Sequence, residues 1–461
     1  MTSRKHKANI SSDAVWIAFS RCENIHELTS NFQGFTENLG FNNPLDIQTL
    51  IQSTLEKPFS LSLSEITSRW KSLSDTANEL ISAYLIRGMD YRNVTAQQTQ
   101  EAYAVLRSSL NPESPLHGYA AYHQSMRWIW EGQPANAIQA LDLFETNSVS
   151  QTNEVLVIWI NTLIQSARAF ALMNTGNFRE ATTMLQASHA TSKKLDFSIR
   201  SGIESLLATL YRESNQSQKA LSIWYEPERM QELECGQNWG QVTVTHLNAC
   251  RCAIDLKDIS AAHLSLELAE KYLPLTESYS PRLLGYNHLR RGELATLEED
   301  YATGEEKLIA AIEYFEQLDP PCPEGWLESR LALGQYALLQ ENLPLAWAII
   351  RKLIEETQEL GHLSLRSQAL LLQTWFFVSK QPPGADAYEQ VLDQIHMIHN
   401  PALLFHAFSN LLSYAVEHLD ESEADQLRKH MSALRTRLTD ENYQELLEKH
   451  VPEHLRIKEL E

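Results

Sequence analysis

An all-α solenoid, about seven to nine antiparallel helix pairs long, is the fold this sequence predicts, and three observations predict it. A small residue recurs after a break in the apolar pattern: Ala137 in GQPANAI, Ala181 in GNFREAT, Ala220 in NQSQKAL, Ala262 in KDISAAH, Gly304 in EDYATGE, Ala346 in ENLPLAW and Ala387 in QPPGADA, at intervals of 39 to 44 residues. That interval is the range in which self-similarity marks a helical array. Apolar residues spaced i, i+3, i+4 and i+7 fill about 15–20 residues before each break and about 12–17 after it, as RSGIESLLATLYRES followed by QKALSIWYEPERM shows. The breaks themselves hold turn formers: Gly176, or Asn215, Lys257, Asp300 and Asn342.

Each element follows from that frame. Residues 1–113 read as a helical N-terminal region behind a basic, disordered tail, Arg4-Lys5-His6-Lys7, with helical periodicity over 12–30 and 64–88. Residues 93–110 read as an irregular first repeat or a capping pair, and GFNNPLD and EKPFSLS read as loops. Residues 114–440 carry the repeats, each a helix, a turn and a returning helix. Gly176 is expected to end its first helix in the left-handed conformation, and Ala181 to be small because the second helix approaches the first there. Pro115, Pro281, Pro323 and Pro401 sit at the start of first helices, where a missing amide donor costs nothing. Residues 441–461 read as a capping helix and tail, with TDENYQELLEKH opening on capping residues.

LATLYRESNQSQKAL, LRRGELATLEEDYATGEEKLIAAIEYFEQL and LALGQYALLQENLPLAWAIIRKLIEETQELGH resemble tetratricopeptide repeats, and most closely the long-repeat arms of MalT-like bacterial regulators. Leu207, Ala208 and Tyr211, like Leu333 and Gly334, fall where that family places a large, a small and an aromatic or apolar residue. The resemblance spans residues 114–440 and implies a right-handed superhelix with a concave groove. Three features depart from the family pattern. Trp375 stands where a small residue is expected, Pro382-Pro383 replaces the seventh turn, and the period exceeds the family's usual length of about 34 residues.

Composition bounds the function. A formal net charge of -21 argues against a nucleic-acid footprint, which needs basic residues concentrated on one face. No apolar run suits a membrane span or a secretory signal, and five cysteines, an odd number, fit a reducing compartment; a cytoplasmic protein is expected. Cys250 and Cys252 read as buried small residues. His450-Val451-Pro452-Glu453-His454 matches the pattern of inverted zinc peptidases, but Pro452 breaks the helix that would align the histidines. There is no phosphate loop, dinucleotide fingerprint or nucleophile elbow. No enzyme, cofactor or metal is therefore expected.

The concave face is expected to bind, and first helices build it. Counting from the turns places Tyr119, Tyr122, Met126 and Trp130 on it in the first clear unit, Phe170 and Asn174 in the second and Arg212 in the third. Asn248 and Arg251 follow in the fourth, and Tyr286, Arg290 and Glu293 in the fifth. Arginines there would suit an extended peptide with an acidic group. The same residue types also serve as inter-helix packing and as surface ion pairs. The expected function is a non-enzymatic scaffold that binds a protein or peptide segment, without nucleic acid or membrane and with oligomerisation left open. The alternative is a sensor whose array binds a small ligand or signalling peptide and controls a partner.

Overall fold

A computed structural model of the protein describes residues 100, 103–104, 116–130, 133–145, 154–193, 197–276, 280–318, 322–379, 385–419 and 421–456. The expectations for residues 1–99 and for the Pro382-Pro383 turn lie outside these, as do Pro115 and the side chain of Ala387. The expected first repeat at 93–110 lies mostly outside them too, although residues 100 and 103–104 are helical.

Among the described residues there are 18 α-helices and no strands, and successive helices pack neighbour to neighbour as in a helical solenoid. They are α1 Leu116–Trp130, α2 Pro134–Glu145, α3 Glu154–Asn174, α4 Phe178–Ser192, α5 Phe197–Glu213, α6 Ser217–Trp224, α7 Pro227–Cys235, α8 Trp239–Asp255 and α9 Ile259–Tyr272. Then come α10 Ser280–Leu297, α11 Tyr301–Gln317, α12 Pro323–Leu339, α13 Leu343–Glu359, α14 Leu363–Ser379, α15 Ala385–Ile395, α16 Pro401–His418, α17 Glu421–Ala433 and α18 Asp440–His450. The chain divides into two compact units, one of residues 1–171 with 187–202 and the other of 172–186 with 203–461.

One turn is used repeatedly in the larger unit. Asn215, Lys257, Glu299 and Glu341, each 42 residues after the last, have φ between 52° and 64°, and Gly176 has φ 84°. After each of them an amide reaches back five residues to close the helix end: Asn177 to Leu172, Gln216 to Tyr211, Asp258 to Ala253, Asp300 to Ala295 and Asn342 to Ala337, at 2.8–2.9 Å. The left-handed residue is thus Glu299 or Glu341, and not Asp300 or Asn342 as the sequence suggested. Asp300 and Asn342 instead cap the next helix, accepting from the amides of Thr303 and Leu345, as Asp258 does from Ala261.

The small residues lie where close approach is needed. Ala137, Ala181, Ala220, Ala262 and Ala346 are fully buried. A Cβ on Gly304 in α11 would meet the Thr296 hydroxyl at 2.7 Å and the Gly292 carbonyl at 3.5 Å, both on α10. A strip of apolar core then runs from pair to pair: Leu247 and Cys250 with Leu266 and Leu294, next Leu308, Phe315 and Leu327 with Ile350 and Leu365, and last Leu370, Phe405 and Phe408 with Leu427, Tyr443 and Leu447.

The third pair departs from expectation. QKALSIWYEPERM does not form one helix: α6 ends at Trp224, and Pro227 opens the additional helix α7. A proline in that position removes an amide donor that a continuous helix would need. α7 is anchored by Arg229, fully buried beside Glu204, with Nε 3.4 Å from Oε2.

The smaller unit shows the same pairing. The Ser125 hydroxyl of α1 donates to the Ala137 carbonyl of α2 at 3.3 Å, and Tyr119 stacks on Trp159 with ring centroids 5.4 Å apart.

Candidate functional site

Arg212 at the end of α5, Arg251 in α8, Arg290 in α10 and Glu328 in α12 follow one another at 39, 39 and 38 residues. The turns recur at 42, so each step moves about one helical turn back along the next first helix while staying on the same face. The four residues therefore trace a diagonal across the first-helix face, on which Arg251 and Arg290 meet Glu328 while Arg212 acts on it through space. Arg251 Nη1 lies 3.1 Å from Glu328 Oε1 and Arg290 Nη2 3.3 Å from Glu328 Oε2. Arg290 also pairs with Glu293, and Arg212 with Glu213 at 2.5 Å. Asp255 sits one turn beyond Arg251 and accepts from the Ser217 hydroxyl at 3.3 Å.

Burial works against every charge in this group, and the neighbours decide which survive. Around Arg251 the carboxylates of Glu328, Glu293, Asp255 and Glu213 together outweigh burial and hold the guanidinium charged more firmly than in water. Arg290 is held up in the same way by Glu293 and Glu328, although Arg251 opposes them. Glu328 is pushed up by burial but pulled down further by Arg251, Arg290 and Arg212, so it ends below the ordinary carboxylate range. Glu324, one turn before it, is raised by burial and then by the Glu328 charge, against the pull of Arg282. Asp255 is likewise raised, since burial exceeds the help of Arg251 and Arg212. Both Asp255 and Glu324 keep open contact with solvent. Protein atoms nonetheless crowd both carboxylates, and that crowding is what raises them.

The sequence-predicted residues divide. Arg212, Arg251, Arg290 and Glu293 come together in this network. Asn248 lies half-buried one turn before Arg251. Tyr286 directs its ring into the core, edge-on to Phe315 at 4.9 Å, and its hydroxyl is raised by burial and by Glu324 and Glu328. Asn174 is half-buried in the larger unit. Tyr119 and Met126 are buried packing residues of the smaller unit, in which Tyr122 and Phe170 are half-buried. The side chain of Trp130 lies outside the described residues. Each of the three arginines is paired to a carboxylate of the network, the ion-pair role that their residue type also allowed.

Glu213, Asp255, Glu324 and Glu328 escaped the sequence reading. Counting a fixed distance from each turn selects one register, whereas the lining drifts by a helical turn per unit. A usable signal was present in the two acids four apart, Glu324 and Glu328, in the largely apolar PEGWLESRLALGQYALL.

Cys250 and Cys252 are buried, and burial pushes their thiols up to about 12 and about 11. In His450-Val451-Pro452-Glu453-His454 the helix ends at His450, and His454 lies on a separate short turn. No described helix is long and apolar enough to cross a membrane. No protein-family model matches the chain, and no curated protein is significantly similar to it.

Proposed function

We propose that the protein is a non-enzymatic interaction scaffold of the tetratricopeptide type, whose inner face in the larger unit binds a partner segment carrying basic side chains. Asp255 and Glu324 support this reading. They are solvent-reaching carboxylates held where ionisation is disfavoured, and Glu324 makes no hydrogen bond or ion pair among the described residues. Charges that cost stability and are incompletely paired in the fold are characteristic of binding surfaces. A Lys or Arg of the partner would complete them. The Arg251–Glu328–Arg290 ladder beside them offers paired charges that an incoming segment can exchange with its own.

The sensor reading draws support from a separate feature. The larger unit folds back on itself, since Asn400 donates to the Glu213 carbonyl at 2.9 Å and Ser364 to the Glu213 carboxylate at 3.4 Å. A wall that returns on itself favours a short or small ligand over a long one.

The test is capture from cytosol with the wild type and with Asp255→Asn/Glu324→Gln. The variant is expected to keep or raise its thermal midpoint and to lose the retained partner. A partner held equally by both proteins sinks the reading, and a small cationic ligand in place of a protein selects the sensor.

A further inference from the structure

The larger unit closes through contacts between residues more than 150 positions apart. The turn between α5 and α6 meets α18: Asn215 Nδ2 lies 3.1 Å from His450 Nε2, Lys449 Nζ donates to Asn215 Oδ1 at 2.8 Å, Gln216 donates to Glu445 at 3.2 Å, and Lys219 pairs with Glu441 at 2.6 Å. Beside it the Arg437 guanidinium bridges the carbonyls of Gly176, at 3.2 Å, and His399, at 2.7 Å. Each of these contacts is polar. Lys219 and Glu441 keep 37% and 73% of their side-chain surface in water.

The two lips of this seam are built differently from the seam itself. α18 belongs to the apolar cluster of α14–α17 through Tyr443, Leu446 and Leu447, with Val451 just after its end. The opposite lip is fixed by Ala208, Ala220 and Trp224 against Ala249 and Cys252, in a separate cluster. Exposed ion pairs contribute about 0–1 kcal/mol each and weaken with salt, whereas each lip is held by buried apolar area. The weakest boundary in such a unit is the one that parts first.

We propose that the contact between the Asn215–Lys219 turn and α18 is a latch, which opens reversibly while both lips stay folded. Opening it, with the neighbouring polar contacts of Glu213 to Asn400 and Ser364 and of Arg437 to Gly176, turns the closed wall into an open groove. Its use as the way in for a partner segment rests on the function proposed above, whereas the opening itself does not.

The test places spin labels on Gln218→Cys and Glu448→Cys, in full-length protein with Cys22 and Cys235 replaced by Ser, and measures the distance distribution at 50 and 500 mM NaCl. A second, longer distance is expected. Its share should rise with salt, and should rise about two- to fivefold relative to the closed form on Lys219→Glu, the factor one exposed ion pair supplies. Lys219→Glu/Glu441→Lys should return it to the wild-type share, with circular dichroism unchanged throughout. A single distance indifferent to salt and to Lys219→Glu overturns the latch. So does a longer distance that grows only as helical content is lost, because that is unfolding of a lip.

Discussion

Arg229 offers the sharpest test of how the third pair is held. Its side chain is fully buried, with the guanidinium 5.3 Å from the centre of the Trp224 ring. It donates to Thr245 at 3.1 Å, to Ser205 at 3.2 Å and to the Trp224 carbonyl at 3.4 Å, and Glu204 supplies the opposite charge. Burial pulls the guanidinium down to about 10, so its charge is costly and is kept by these partners. Arg229→Met removes one member of a buried pair and takes from Glu204 the opposite charge beside it, a change that costs about 3–5 kcal/mol. The lost ring contact falls within that range, since the terms are not additive. Arg229→Met/Glu204→Leu removes both charges and should recover most of the loss. Urea unfolding followed by tryptophan fluorescence reads it, with hydrogen exchange over α6–α8 and α12 separating local from global melting. A loss under about 1 kcal/mol, or a double variant no better than the single, would refute the argument.

Three further outcomes are expected. Gly176→Ala should weaken the closure more than a left-handed φ alone explains, since five other turns hold non-glycine residues at φ above 50°. A Cβ on Gly176 would run into the His399 carbonyl and the Arg437 guanidinium, and a longer Gln218–Glu448 distance in that variant would show it. Ala181→Leu should overpack its hairpin and cost about 1–3 kcal/mol, and an unchanged denaturation midpoint would count against the small-residue argument. Acid should also destabilise the larger unit. Burial lowers His246 and His406 to about 4 and His450 to about 3, so below about 6.5 the unfolded chain takes up protons that the folded unit refuses. Stability from these groups is complete above that pH and is lost as pH falls toward 4. Each histidine contributes a slope of at most about 1.4 kcal/mol per pH unit, and His406→Gln should flatten the measured curve by about one such step.

The repeat was legible because it is local. Ala181, Ala220, Ala262 and Ala346 mark the tight approach within each pair, and the turns that precede them follow helix-end chemistry carried by six consecutive residues. What was misread within the turns was a single position: Asp300 and Asn342 are conspicuous turn formers, but their side chains serve as caps, which leaves Glu299 and Glu341 to take the strained φ. α7 was missed although Pro227 announced it, because IWYEPERM keeps a helical apolar period across the break. The charged lining was half legible. Arg251 and Arg290 could be placed on one face of the first helices by counting, but Glu328 pairs with both from a helix whose register has drifted, and sequence spacing within one helix does not show that drift. The closure was not legible at all. Asn215 and His450 meet across 235 positions, and no local pattern in either segment refers to the other.

The claim that matters most is that the inner first-helix face of the larger unit is the binding surface. Hydrogen exchange with and without the partner recovered by the wild-type protein tests it most directly. Slowed exchange is expected to concentrate in residues 248–255, 286–293 and 324–328, and to be absent with Asp255→Asn/Glu324→Gln. Protection confined to the second helices α9, α11 and α13, with those three segments unchanged, would contradict it.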